Sequence, residues 1–194
     1  DVGRYQQNVN YAELPSLFWN RRDGTFEEIA SQVGLGKLGV GRGAVYGDYD
    51  NDGDVDVLVS NNGVHPDYGK AWLLRNDGGN RNNYLRVKTI GTPPVHGGVR
   101  GISSLVPPPG GGGSNRDGIG AKVIVKAGGV TQRRMVRTGS SYCSQSETTL
   151  TFGLGQSKRV ESLEVIWPSG RVDPYTNLQV NRLIEVVEGK TLNK

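Results

Sequence analysis

Residues 47–60 read GDYDNDGDVDVLVS, with Asp48, Asp50, Asp52, Asp54 and Asp56 inside nine residues and a run of valines and leucine directly behind them. Carboxylates packed this closely repel by about 1 kcal/mol per pair even in water, and by more where solvent is excluded. A compact fold containing this stretch must either place positive charge among the aspartates or leave the loop open.

The spacing favours a bound cation. In D-x-D-x-D-G-x-x-D, alternate side chains of a tightly turning loop converge, glycine at the sixth position allows the bend, and an acid at the ninth closes the ring. The predicted ligands are Asp48, Asp50, Asp52 and Asp56 through their side chains and Asp54 through its carbonyl, with Gly53 at the bend. All-oxygen ligation of this size and charge suits Ca2+ better than Mg2+, which keeps more water and takes fewer carboxylates. An EF-hand requires glutamate at the twelfth position, where this chain has Val59 in VDVLVS, a strand-like alternation. The expectation is therefore a strand-loop-strand calcium site.

The rest of the chain is rich in turns. Thirty glycines and nine prolines in 194 residues, with 35% hydrophobic residues, predict an all-β fold with short strands. Strands are expected at 17–20, 25–30, 43–47, 55–60, 71–75, 84–90, 121–127, 131–138, 148–152, 162–167 and 182–187, with one brief helical turn near 27–33. LFWNRRDGTF at 17–26 and LLRNDGGNRN at 73–82 both pass from apolar strand to Asn and an Asp-Gly turn, a faint internal repeat. Residues 91–114, a Pro/Gly-rich stretch, are expected to form a long loop. The single cysteine, Cys143, rules out an intrachain disulfide framework. No apolar run reaches the roughly 18 to 20 residues of a spanning helix, so membrane insertion is not expected.

Charge is unevenly spread. Five of the eleven aspartates lie at 48–56, whereas 116–160 holds Arg116, Lys122, Lys126, Arg133, Arg134, Arg137, Lys158 and Arg159 against Asp117 and Glu147. Such a basic face can attract nucleic acid or acidic polysaccharide, although strands place alternate charged residues outward in any case. An anionic glycan is kept as a candidate ligand; nucleic acid is not.

With these motifs in place, residues 17–76 (NRRDGTF, GRGAVYGDYDNDGDVDVLVSNNG, LLRNDGG) resemble an FG-GAP or VCBS-type repeat, the blade unit of integrin-like β-propellers. From Asn83 onward, NYLRVKTIG, SNRDGIGAKVIV, GSSYCSQSETTLTFGLG, VESLEVIWPSG and LIEVVEG resemble the ASPIC/UnbV domain that follows such repeats in secreted proteins of the cartilage acidic protein family. The resemblance implies an extracellular calcium-binding β-protein. Two features depart from the family pattern. About twenty loop residues separate KTIGT from SNRDGIGA, and residues 1–82 cannot supply the roughly four to eight blades of a closed propeller. Either the chain is part of something longer, or neighbouring copies complete its open strand edges.

Catalysis is not expected. His65, His96 and Cys143 are the candidates for a nucleophilic pair, but no third orienting residue is evident and GSSYC lacks the G-x-S-x-G spacing. Asp117 before glycine reads as a turn residue. Trp19, Trp72 and Trp167 sit in strand patterns, so core packing is expected over a sugar-stacking platform. The combined reading is a partial propeller-like blade at 1–82 carrying calcium, followed by an antiparallel β-sandwich-like domain at 83–194 with its inserted loop at 91–114. Its expected role is a secreted, non-catalytic structural, adhesion or assembly module whose partners are other protein chains, copies of itself included. The alternative is a carbohydrate or anionic-glycan binder.

Overall fold

The computed structural model describes residues 12–62, 69–92 and 113–192. His65, His96, most of the 91–114 stretch and the start of the chain therefore lie outside the described residues. Among the described residues the fold is all-β, with twelve strands and a single 3-10 turn at Gly79–Arg81. The chain forms two compact units. The first comprises Asp1–Val45, Val57–Leu74 and Ser141–Ser144; the second comprises Tyr46–Asp56, Arg75–Ser140 and Gln145–Lys194. The aspartate loop thus belongs to the second unit, although in sequence it precedes position 82.

In the first unit, β1 (Phe18–Asn20) and β2 (Phe26–Glu28) make an antiparallel hairpin, with Trp19 opposite Glu27. Side chains shape its turn: Asn20 Oδ1 accepts from the Arg22 amide, and Asp23 Oδ1 accepts from the amide and hydroxyl of Thr25. Gly24 at φ +91° takes the left-handed conformation that the turn requires. The expected helical turn at 27–33 is shifted: Glu27 and Glu28 stay in β2, and a hydrogen-bonded turn follows at 30–34. A second sheet runs in the order β3 (Gly41–Gly47), β4 (Asp56–Asn61), β5 (Trp72–Leu74). Trp72 lies so close to Gly39 that a Cβ there would sit 2.4 Å from its ring.

The hydrophobic residues of this unit are mostly at the surface. Leu14, Leu17, Phe18, Trp19, Phe26, Val33 and Leu38 are all exposed, while Ala30 and Val40 are buried among the described residues. Core packing of Trp19 is contradicted, since it is 57% exposed. Among the described residues β1 pairs with β2 alone, and Trp19 is not part of the buried core.

The second unit holds the core. Its two sheets run β12 (Arg182–Val187), β6 (Asn83–Ile90), β9 (Leu150–Gly155) and β11 (Val172–Gln179), β10 (Arg159–Ile166), β7 (Lys122–Ala127), β8 (Val130–Met135). Alternate residues turn inward from both sheets: Leu85 and Val87, Val123 and Val125, Phe152 and Leu154, Leu163 and Val165, Ile184 and Val186. Trp167 is buried at the end of β10, its indole N–H donating to Asp173 at 2.8 Å. Pairing is antiparallel except for β12, which runs parallel to β6. The sequence reading missed β11 because Pro174 and Asn177 interrupt it; at the sheet edge, Pro174 need not donate to a ladder.

Glu188, buried just beyond β12, fastens both bases of the 93–112 stretch. Its carboxylate accepts from the amide and hydroxyl of Thr92, from the amide and hydroxyl of Ser114, and from the Ser169 hydroxyl. Burial alone raises its pKa, but the hydrogen bonds from Ser169, Thr92 and Ser114 outweigh it and hold the carboxyl below its ordinary value of 4.5. A depressed folded-state pKa contributes stability above the unfolded value, and that contribution is lost as pH falls through the folded one. Glu188→Gln is expected to cost about 1 to 3 kcal/mol at neutral pH. It should also flatten the acid limb of stability against pH below 4.5, measured by urea unfolding across a pH series.

Candidate metal centre

The end of β3 delivers Asp48 and the start of β4 delivers Asp56, so two strands fix the ends of the aspartate loop. Between them, Asn51 at φ +60° and Gly53 at φ +97° reverse the chain. Only glycine fits at 53, because a Cβ would lie 2.2 Å from the Tyr84 ring.

Carboxylate oxygens of Asp48, Asp50 and Asp56 come within 4.8 Å of one another. Calcium holds oxygens at 2.3 to 2.6 Å, so ligands across the ion stand about 5 Å apart. The trio therefore suits one such ion. Each carboxylate is also aimed. Asp56 accepts from the Tyr49 amide at 2.8 Å and, through its other oxygen, from the Asn76 amide at 2.9 Å. Asp48 Oδ2 accepts from the Gly53 amide at 3.1 Å and from Arg86 at 2.7 Å. Its Oδ1 is buried without a hydrogen-bond partner, and a cation there would satisfy it.

The other two aspartates are placed differently. Asp52 is half-buried and its Oδ1 accepts from the Asp54 amide at 3.1 Å, so it braces the turn. Asp54 is buried, and a Cβ on Gly79 would come within 2.7 Å of its Cβ. Neither carboxylate stands in the group formed by Asp48, Asp50 and Asp56.

Three residues absent from the sequence expectation complete the surroundings. Arg86, on the face of β6 opposite Leu85 and Val87, donates to Asp48 and to Glu147, each at 2.7 Å. Burial pushes the Glu147 carboxyl above the ordinary glutamate value, against the pull of Arg86. Tyr84 supplies the wall against Gly53. The only trace of Arg86 in the sequence is a lone charge in NYLRVKTI, and nothing there pairs it with residues 38 and 61 positions away.

The catalytic candidates do not assemble among the described residues. Cys143 is an exposed thiol at φ +46° in the turn bridged by Ser141 and Ser144. Asp117 lies in a surface turn, paired with Arg116.

An all-β chain with a D-x-D-x-D-G loop between two strands and a two-sheet apolar core defines a repeat-plus-sandwich protein. Residues 7–59 match the FG-GAP-like repeat family, and residues 111–193 match the ASPIC and UnbV family. The chain thus carries an FG-GAP-like repeat followed by an ASPIC/UnbV domain. It is 28% identical over 175 residues to cartilage acidic protein 1 of Mus musculus, covering 85% of this chain and 22% of that protein. It is 30% identical over 158 residues to cartilage acidic protein 1 of Homo sapiens, covering 77% of this chain and 19% of that protein. The chain spans about a fifth of the length of these curated relatives.

Arg86→Met removes the countercharge from one buried carboxylate, Asp48, and one partly buried carboxylate, Glu147. Breaking a buried pair in this way costs roughly 3 to 5 kcal/mol. Urea unfolding in the presence of chelator should show a loss of that size, and a loss under 1 kcal/mol would mean that the pair is poorly formed in solution.

Proposed function

We propose that the chain is a secreted, non-catalytic module in which Ca2+ bound at Asp48, Asp50 and Asp56 locks the FG-GAP-like loop, and which serves adhesion or assembly with other protein chains. The observation that carries the reading is the buried, unpartnered Oδ1 of Asp48 beside two further carboxylates within 4.8 Å. A hard cation satisfies that oxygen and neutralises the cluster in one step. The extracellular setting is supported by the similarity to cartilage acidic protein 1.

The assembly role is supported by the first unit, whose exposed Phe18, Trp19 and Phe26 sit on a short hairpin. Short strands with free edges and bare aromatics are suited to pairing with a further strand or blade.

Binding to the folded state alone stabilises it by about 2.7 kcal/mol at a hundredfold excess of Ca2+ over Kd. EDTA is therefore expected to lower the melting temperature of the wild-type protein. Asp50→Ala should reproduce the shift and respond no further to chelator. Because the ligands must be ionised to bind, calorimetry should show Ca2+ affinity falling in acid. Identical melting with Ca2+ and with EDTA, after dialysis at low pH, would sink the calcium reading.

Assembly is tested separately by light scattering over a concentration series. Phe18→Ser/Phe26→Ser is expected to reduce the particle mass of an associating wild type without changing the calcium response. A wild type that stays monomeric at every concentration contradicts self-assembly.

A further inference from the structure

The second unit carries a set of arginines that its own acids leave alone. Arg133, Arg134 and Arg137 line one depression of about 260 Å³ together with Tyr46, Met135 and Leu150. All three arginines are exposed, and among the described residues none has an ion pair or side-chain hydrogen bond. Other basic side chains of this unit are paired, Arg86 with Asp48 and Glu147, Lys88 with Glu185, Lys126 with Glu161 and Arg171 with Asp173, whereas Lys122, Lys158 and Lys190 form no ion pair among the described residues.

The arginines are also held in place. β8 is the edge strand of its sheet, with Arg134 opposite the buried Val123 and Arg133 opposite Ile124. Arg134 lays its guanidinium over the Phe152 ring at 5.7 Å from the centroid, which restrains it by a cation–π contact. Charge alone protects an edge strand wherever it lies along it; that role does not call for three arginines lining one hollow.

We propose that this depression is a subsite for an anionic polysaccharide, packing one sugar ring against Tyr46 and Met135 and binding its sulfate or carboxylate groups with Arg133, Arg134 and Arg137. Guanidinium groups bind planar and tetrahedral oxyanions through paired N–H donors, which lysine cannot do. The volume lies just under the range for drug-sized ligands and suits a single ring of a longer chain. No residue of the calcium centre lines the hollow, so the proposal stands apart from the calcium reading.

The test uses the calcium-loaded protein and a heparin octasaccharide in titration calorimetry at low salt. Arg133→Ala/Arg137→Ala leaves the Arg134–Phe152 contact intact and is expected to weaken binding by about tenfold or more. Lys158→Ala/Arg159→Ala removes the same charge elsewhere in the unit and should change affinity less than about twofold. Melting curves establish that both variants are folded. The chemically desulfated octasaccharide, which keeps its carboxylates, separates the two anions: retained affinity assigns the site to carboxylates, lost affinity to sulfates. Equal weakening by both double variants, or no binding by the wild type, overturns the proposal. Tighter binding of a poly-glutamate peptide than of either glycan also overturns it, in favour of strand addition at the edge of β8.

Discussion

Arg86 is the contact on which the loop's placement depends. It stands on β6, the central strand of the β12-β6-β9 sheet, whose opposite face contributes Leu85 and Val87 to the core. One strand thus buries hydrocarbon on one side and a guanidinium on the other. Through Asp48 it holds the aspartate loop, and through Glu147 it holds the segment entering β9. Taking an arginine and two carboxylates out of water is costly unless they satisfy one another. The group must therefore form as a whole. Asp48, Asp50, Asp56 and Glu147 still leave four carboxylates against one guanidinium, an excess of negative charge that a divalent cation would reduce.

This arrangement joins two kinds of sequence. The three gathered aspartates fall within the FG-GAP-like match at 7–59, and Glu147 falls within the ASPIC/UnbV match at 111–193. Arg86 lies between the two matches. Packing assigns all of them to the second unit. The loop that marks the repeat is thereby held by residues outside it, and the stability of the centre is tied to the sandwich core behind β6.

The two units differ in how they are stabilised. The second has two sheets closing on one apolar core, with Glu188 holding Thr92 and Ser114 and Asp173 holding Trp167. The first relies on side chains that fix turns, such as Asn20 and Asp23, and on small sheets. Hydrophobic burial scales with the area removed from water, and exposed Phe18, Trp19 and Phe26 contribute little to it.

Local chemistry made much of this legible in the sequence. The D-x-D-x-D-G spacing located a loop between two strands, because alternate carboxylates and a glycine bend are properties of nine consecutive residues. Period-two alternation located β4, β6, β7 and β12 nearly to the residue, and β6, β7 and β12 each turn one face to the core. Only the tertiary structure decided the rest. That Asp52 braces a turn while Asp48, Asp50 and Asp56 gather depends on Tyr84 filling the space beside Gly53 and on Asn76 donating to Asp56. Pro174 is tolerated in β11 because that strand is an edge, and position in a sheet is set by pairing rather than by composition. Trp19 and Trp167 both sit in strand-like stretches, yet one is exposed and the other buried, because Trp167 lies in the apolar core on which the two sheets of the second unit close, and Trp19 does not. The partner of a charge 38 residues away is a fact of folding, and Arg86 acquires its role there.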